Sequence, residues 1–154
     1  MLEEYLQYIN KMFKEDLKDW KSIEREFASR LMKRDVSKIE FSEWKFPERD
    51  VKDTFHRQGQ TYERTYEVKR DRKAEETGNV WIEYMYDWKP SWIYTSTSDY
   101  IAYKLGDKFY YADRVRFIIE LSKTLKQDVI GGDDNKSQMW LVRREVFNLL
   151  TTEL

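Results

Sequence analysis

Residues Thr65–Tyr84 read TYEVKRDRKAEETGNVWIEY, and the first part of this stretch decides how the chain is put together. Tyr66 and Val68 alternate with Glu67 and Lys69. Strand side chains point to opposite faces in turn, so the two apolar residues mark a buried face. An acid and an amine then stand side by side on the other face of what reads as a central strand.

The pattern extends both ways from there. Upstream, DVKDTFHR (Asp50–Arg57) also alternates, with Val51, Asp53 and Phe55 on one face. RQGQT supplies a turn, so Asp50–Arg57 and Tyr62–Asp71 are expected to form a β-hairpin. Further upstream, IEFSEWKF from Ile39 reads as an edge strand. Downstream, Thr77-Gly78-Asn79 marks a turn, VWIEYMY (Val80–Tyr86) a third strand, and Trp88-Lys89-Pro90-Ser91 a break. Ser98–Leu105 and Lys108–Ala112 predict a second hairpin around Gly106-Asp107, and Asp113 an N-cap for the helix RVRFIIELSKTL. SQMWLV reads as a last strand and Arg143–Leu150 as a closing helix. At the other end, Leu2, Leu6, Ile9, Phe13, Leu17, Trp20, Ile23, Phe27 and Leu31 recur every three or four residues, the spacing of a long amphipathic helix.

The expected fold is therefore α/β (α+β), with a central mixed β-sheet flanked by helices. A single unit is expected over 1–154: an N-terminal amphipathic helix over 1–34, a sheet core over 39–112, and C-terminal helices with the last strand over 113–154. A chain of 154 residues is long enough for one real core. With 40% apolar and 37% charged residues it does not have a disordered composition.

Composition also removes whole classes of chemistry. There is no Cys, which excludes disulfides, thiolate metal sites and a Cys nucleophile. His56 is the only histidine, so no multi-His metal site or His-based dyad fits in one chain, and a surface position at a strand end is expected for it. The loop Gly131-Gly132-Asp133-Asp134-Asn135-Lys136 lacks phosphate-loop spacing, predicts a flexible surface loop and gives no support to a nucleotide cofactor. MLEEYLQYIN does not read as a signal peptide, and no apolar run reaches membrane-spanning length, so no membrane partner and a cytoplasmic location are expected. The net charge of −1 argues neither for nor against nucleic acid.

What chemistry suits an acid beside an amine? Phosphodiester hydrolysis needs a divalent ion, a positioned water and charge compensation at the phosphate. Mg²⁺ prefers hard oxygen ligands and commonly takes one or two carboxylates. A Lys nearby can orient or deprotonate the water. Glu67 and Lys69 share one strand face, and Asp50 begins the neighbouring strand, within reach of the same end of the sheet.

Asp50 followed by Glu67-Val68-Lys69 resembles the PD-(D/E)XK nuclease superfamily, of restriction-endonuclease-like fold. A longer stretch, from Phe46 to about Tyr103, is similar to small nuclease-like proteins of phages and mobile elements. The segments that carry this are FPERD, YEVKRDRKAEETGN, WIEY, KPS and STSDYIAY. The resemblance implies an endonuclease or nickase acting on DNA in a bacterial host cell, with Mg²⁺ (or Mn²⁺) as cofactor. Asp50 and Glu67 would be the metal ligands, and Lys69 would assist the attacking water. Such small nucleases often act as dimers, and the N-terminal helix offers a surface for a homodimer. Two positions depart from the pattern. Arg49, not Pro, directly precedes Asp50, and Trp92 stands where a Gly follows Pro-Ser, so Trp92 is expected to fill or reshape the mouth of the site.

Rivals remain among the acids. Asp53 competes with Asp50 but lies on the opposite strand face. Glu83, Asp71 and an acid of the N-terminal helix such as Glu24 are further candidates. Lys69-Arg70-Asp71-Arg72-Lys73 either neutralises phosphates or is a solvated strand end. Trp81, Tyr84, Tyr86, Trp88, Trp92 and Tyr94 serve packing or stack on bases. Two other functions stay open: a catalytically impaired nuclease-fold protein that binds nucleic acid or protein, and an interaction protein built on the N-terminal helix.

Overall fold

The computed structural model describes residues 22–34, 38–41 and 50–154. Residues 22–31 form helix α1. Three strands follow, β1 (Lys38–Phe41), β2 (Val51–Arg57) and β3 (Gln60–Arg70), and then helix α2 (Arg72–Thr77). Strands β4 (Asn79–Tyr86) and β5 (Lys89–Pro90) lead to α3 (Trp92–Thr95). Next come β6 (Tyr100–Leu105), β7 (Lys108–Asp113) and α4 (Arg114–Ser122). The chain ends with β8 (Gln127–Gly131), β9 (Ser137–Arg143), α5 (Arg144–Leu150) and β10 (Thr152–Glu153).

The protein is α+β with a mixed central sheet of six strands in the order β1-β2-β3-β6-β7-β10. Strands β1, β2 and β3 form an antiparallel meander, β6 joins β3 in parallel, and β7 returns antiparallel. The β2–β3 hairpin turns over Gln58 and Gly59, both with positive φ (51° and 74°), the backbone that a tight two-residue hairpin requires and that glycine adopts without strain. Asp99 fastens β6 to β3 by accepting hydrogen bonds from the Thr65 N–H (3.0 Å) and hydroxyl (3.1 Å). The DY segment thus aligns the two strands that carry the site.

Each face of this sheet has its own core. Ile23, Phe27 and Leu31 of α1 cover the face formed by Val51, Tyr66, Val68, Ala102 and Phe109. On the other face, Ile101, Tyr103 and Leu105 pack against Val80, Ile82 and Val142 of a second sheet, with Ile93, Phe117 and Phe147 from α3, α4 and α5. Burial of these large side chains, each worth about 1.5–3 kcal/mol, is what holds the layers together.

Several expectations are corrected. The 39–112 stretch does not build one sheet: β4 leaves it and pairs with β9, giving a separate four-stranded sheet, β5-β4-β9-β8. Alternation within Val80–Tyr86 marks a strand but says nothing of its partner, which lies some 60 residues away in sequence. Helix α2 was not foreseen: six residues are too few to display helical periodicity. Asp71 caps its start by accepting the Ala74 N–H at 2.9 Å, and Gly78 ends it at φ 73° with its N–H on the Ala74 carbonyl. The Gly131–Lys136 segment links β8 to β9 as a hairpin, with Gly132, Asp134, Asn135 and Lys136 exposed as a surface loop requires. The break after Tyr86 is likewise a two-residue hairpin turn, at Asp87-Trp88. Strands β8 and β10 were not anticipated.

Of the long N-terminal helix, residues 22–31 are helical, and 1–21 lie outside the described residues, as does FPER before Asp50. Among the described residues, no helix is long and apolar enough to cross a membrane. The expected edge strand β1, the hairpins β2–β3 and β6–β7, the Asp113 N-cap and the terminal α5 all form.

Candidate active site

Strand β3 supplies two of the three motif residues, and its period places them together. Tyr66 and Val68 enter the core under α1, which forces Glu67 and Lys69 to the opposite face. There the Lys69 ammonium sits 2.8 Å from Glu67 Oε1. Glu67 is only 4% exposed, and its second oxygen, Oε2, is buried with no hydrogen-bond partner. Leaving a buried carboxylate oxygen unsatisfied is costly, on the order of 1–3 kcal/mol or more.

Asp50 stands at the head of β2. Val51 pairs with Tyr66, so Asp50 falls beside Glu67 and on its face. The Asp50 N–H donates to the Tyr66 carbonyl (2.9 Å), and its Oδ2 accepts the Val68 N–H (2.7 Å). The carboxylate is thereby held at the edge of β3, between the backbone of Val68 and the Glu67 side chain. Burial, and then the Glu67 charge, push Asp50 up to about 6, against the opposing pull of the Val68 N–H and Lys69. Two carboxylates sharing a partly dry site with one lysine carry more negative charge than the site neutralises.

Lys69 is enclosed from the other side. Its ammonium lies 5.1 Å from the centre of the Trp92 ring, and that ring packs 6.0 Å from Tyr103. Trp92 therefore covers one side of the lysine. Such a cation–π contact holds an amine in place while leaving it charged.

The rival acids have other occupations. Asp53, fully buried on the α1 side, accepts two hydrogen bonds from the Arg64 guanidinium (3.0 and 2.7 Å) and one from the Tyr66 hydroxyl (3.1 Å). Its carboxylate is spent inside the core, and burial drives the Tyr66 phenol well above its ordinary value. Asp71 caps α2 and also accepts the Trp81 N–H (2.7 Å), with burial raising its carboxyl. Glu83 receives the hydroxyls of Ser91 and Ser137, the latter at 2.7 Å. Glu24 sits on α1, the helix that packs the face opposite Glu67. His56 is exposed at the strand end and bonds Thr61 (2.9 Å).

The basic run is divided by α2. Arg70 pairs with Glu75 (3.4 Å), and Lys73 lies over the Trp81 ring at 5.2 Å. Arg72 and Lys73 are exposed on the first turn of α2, beyond the strand that carries the site. Of the aromatic cluster, Tyr84 stacks on Trp140 (4.5 Å) and Tyr94 meets the same ring edge-on (6.0 Å). Packing accounts for them.

Tyr103 escaped the sequence reading. It pairs with Lys69 across the parallel β3–β6 ladder and is fully buried on the site's face. Burial, and then the charges of Asp71, Glu67 and Glu83, hold its hydroxyl protonated well above the usual range. Only the pairing of β3 with β6 brings it there, and no local signal announces that pairing.

Do these residues suit a divalent ion? The donors are hard oxygens, the local charge is in deficit of cations, and Glu67 Oε2 is an orphaned buried acceptor. The donor set fits Mg²⁺ or Mn²⁺. Among the described residues, no third acid or imidazole joins a cluster, so main-chain or water oxygens would complete the shell. Comparison of the chain with family models, with characterised proteins and with solved structures finds no match.

Proposed function

We propose that this protein is a metal-dependent nuclease of restriction-endonuclease-like fold that hydrolyses DNA phosphodiester bonds. The observation that carries the reading is the meeting of Asp50, Glu67 and Lys69 at one end of β2 and β3, with Glu67 Oε2 buried and unpartnered. Asp50 and Glu67 would hold Mg²⁺ or Mn²⁺, which supplies Lewis-acid polarisation of the phosphate and lowers the pKa of a water.

The chain's own residues do the rest. Glu67, fixed on a central strand, gives the site its rigid wall. The Lys69 ammonium offsets charge at the scissile phosphate and orients the attacking water. Trp92 and Tyr103 keep the amine in place and exclude bulk solvent from one side. One such site cuts one strand, so nicks are the expected product, and cutting both strands calls for a homodimer.

A second reading is supported by the same amine. Lys69 is already drawn to Glu67 and covered by Trp92. A chain in this state that does not turn over would act as a nucleic-acid- or protein-binding factor in conflict between mobile elements and their hosts.

Supercoiled plasmid incubated with the protein and Mg²⁺ or Mn²⁺, beside EDTA and Lys69→Ala controls, separates the two. Nicking that needs both metal and Lys69 establishes the nuclease. A shifted but intact plasmid moves the reading to the binding factor.

A further inference from the structure

Among the described residues, three hairpins turn over two residues. Two of them use glycine: Gln58-Gly59 between β2 and β3, and Gly106-Asp107 between β6 and β7. The third, between β4 and β5, turns over Asp87-Trp88. Both of its residues have positive φ, 48° and 62°. The left-handed region is sterically costly for any side chain with a Cβ, and for a bulky one it is a true outlier. Trp88 occupies the position that Gly59 fills in the first hairpin, where φ is 74°.

The tryptophan gains no packing from this placement. Trp88 is 81% exposed, and Tyr86 before it is 47% exposed. The turn is nonetheless well braced. The Asp87 N–H donates to the Lys136 carbonyl (2.9 Å), Met85 pairs with Pro90 and Tyr86 with Lys89, and the Ser91 N–H donates to the Tyr84 carbonyl (2.9 Å). A strained, solvent-facing indole on a rigid mount, with an exposed lysine next to it, is what stacking on an unpaired base calls for, because little freedom is lost on binding.

The mount leads straight to the site. Four residues after Trp88 comes Trp92, the roof over Lys69. Four residues of chain span at most about 14 Å, or roughly four stacked nucleotides at 3.4 Å each.

We propose that the β4–β5 hairpin tip is a base-stacking site, and that Trp88 selects DNA with unpaired bases next to the scissile phosphate. This rests on the nuclease reading for its substrate, but its test does not need cleavage.

Fluorescence anisotropy of labelled single-stranded and duplex oligonucleotides, titrated with the full chain in EDTA, measures binding alone. Thermal unfolding of the same samples measures the strain. Trp88→Gly is expected to lose roughly tenfold or more in single-strand affinity, with duplex affinity much less affected and with a melting temperature equal to or above that of the parent. Trp88→Phe is expected to keep most of the single-strand affinity. Unchanged single-strand affinity in Trp88→Gly overturns the proposal. So does a lowered melting temperature in Trp88→Gly that Trp88→Phe restores while single-strand affinity stays level in both, which makes the indole a packing residue. A change of oligomeric state at unchanged affinity also overturns it, by making the tip a contact between copies. Binding in EDTA involves no turnover, so a failure of stacking read here and a failure of catalysis read in the plasmid assay are distinguished.

Discussion

Lys69 Nζ lies 2.8 Å from one oxygen of Glu67, while the other oxygen of the same carboxylate is buried and has no hydrogen-bond partner. A structural ion pair would satisfy both oxygens, or leave the spare one in water. This half-satisfied geometry leaves a buried acceptor that a cation would meet, with Asp50 beside it.

Metal addition is expected to stabilise the folded chain. A ligand at about ten times its Kd contributes about 1.4 kcal/mol, which for a chain of this size raises the melting temperature by roughly 3–6 °C. Thermal unfolding at pH 7.5 with and without Mn²⁺ or Mg²⁺ measures this. Asp50→Ala and Glu67→Ala are expected to abolish the rise; a rise that persists in both variants places the ion elsewhere.

In metal-free protein, Asp50 makes stability fall with rising pH. Its folded pKa, about 6, lies above its ordinary value of 3.8. Between these two values the folded state keeps a proton that the unfolded state has released, so unfolding becomes easier as pH climbs from about 4 to 6 and stays easier above. The size is about 1–3 kcal/mol. Asn at this position still accepts the Val68 N–H without the charge. Asp50→Asn in EDTA is therefore expected to be more stable than the parent at pH 7.5 and equal to it near pH 4, as urea titrations at the two pH values would show. An unchanged difference between parent and variant across that range counts against the assignment.

Lys69 is expected to matter for turnover and not for the ion. Lys69→Ala should lower plasmid nicking by about 100-fold or more while leaving the metal-induced thermal shift in place. Loss of the shift along with the activity would make Lys69 a support for the carboxylates.

Asp53 is the structural control. Removing its side chain strands the Arg64 guanidinium and the Tyr66 hydroxyl, so Asp53→Ala is expected to cost about 2–4 kcal/mol of stability. In the folded fraction, metal response and nicking should be retained. A variant of normal stability that no longer responds to metal would exchange the roles of Asp53 and Asp50.

Part of this protein is legible from local pattern alone. The β2–β3 hairpin follows from alternation on either side of RQGQT, and the shared face of Glu67 and Lys69 follows from the two-residue period of a strand. Asp113 as a cap needs only its place before an apolar-periodic run. Helix α2 was illegible because six residues hold less than two turns, and Asp71, read as a strand end, turned out to cap it. The six aromatics near Pro90 look alike in sequence. Only their neighbours distinguish Tyr84, stacked on Trp140, from Trp88, which meets solvent.

The sequence by itself determined the two hairpins β2–β3 and β6–β7, the acid and amine on one strand face, and the absence of cysteine and multi-histidine chemistry. These depend on residue type and on spacings of a few residues, where the backbone's periodicity leaves little choice. Tertiary structure alone decided that Asp50 joins Glu67 while Asp53 is held by Arg64, that Tyr103 and Trp92 close around Lys69, and that β4 leaves the central sheet for β9. Those outcomes depend on strand pairing between distant segments and on which face a helix covers. The free energy of such contacts is a property of the assembled core and is written in no single stretch of the chain.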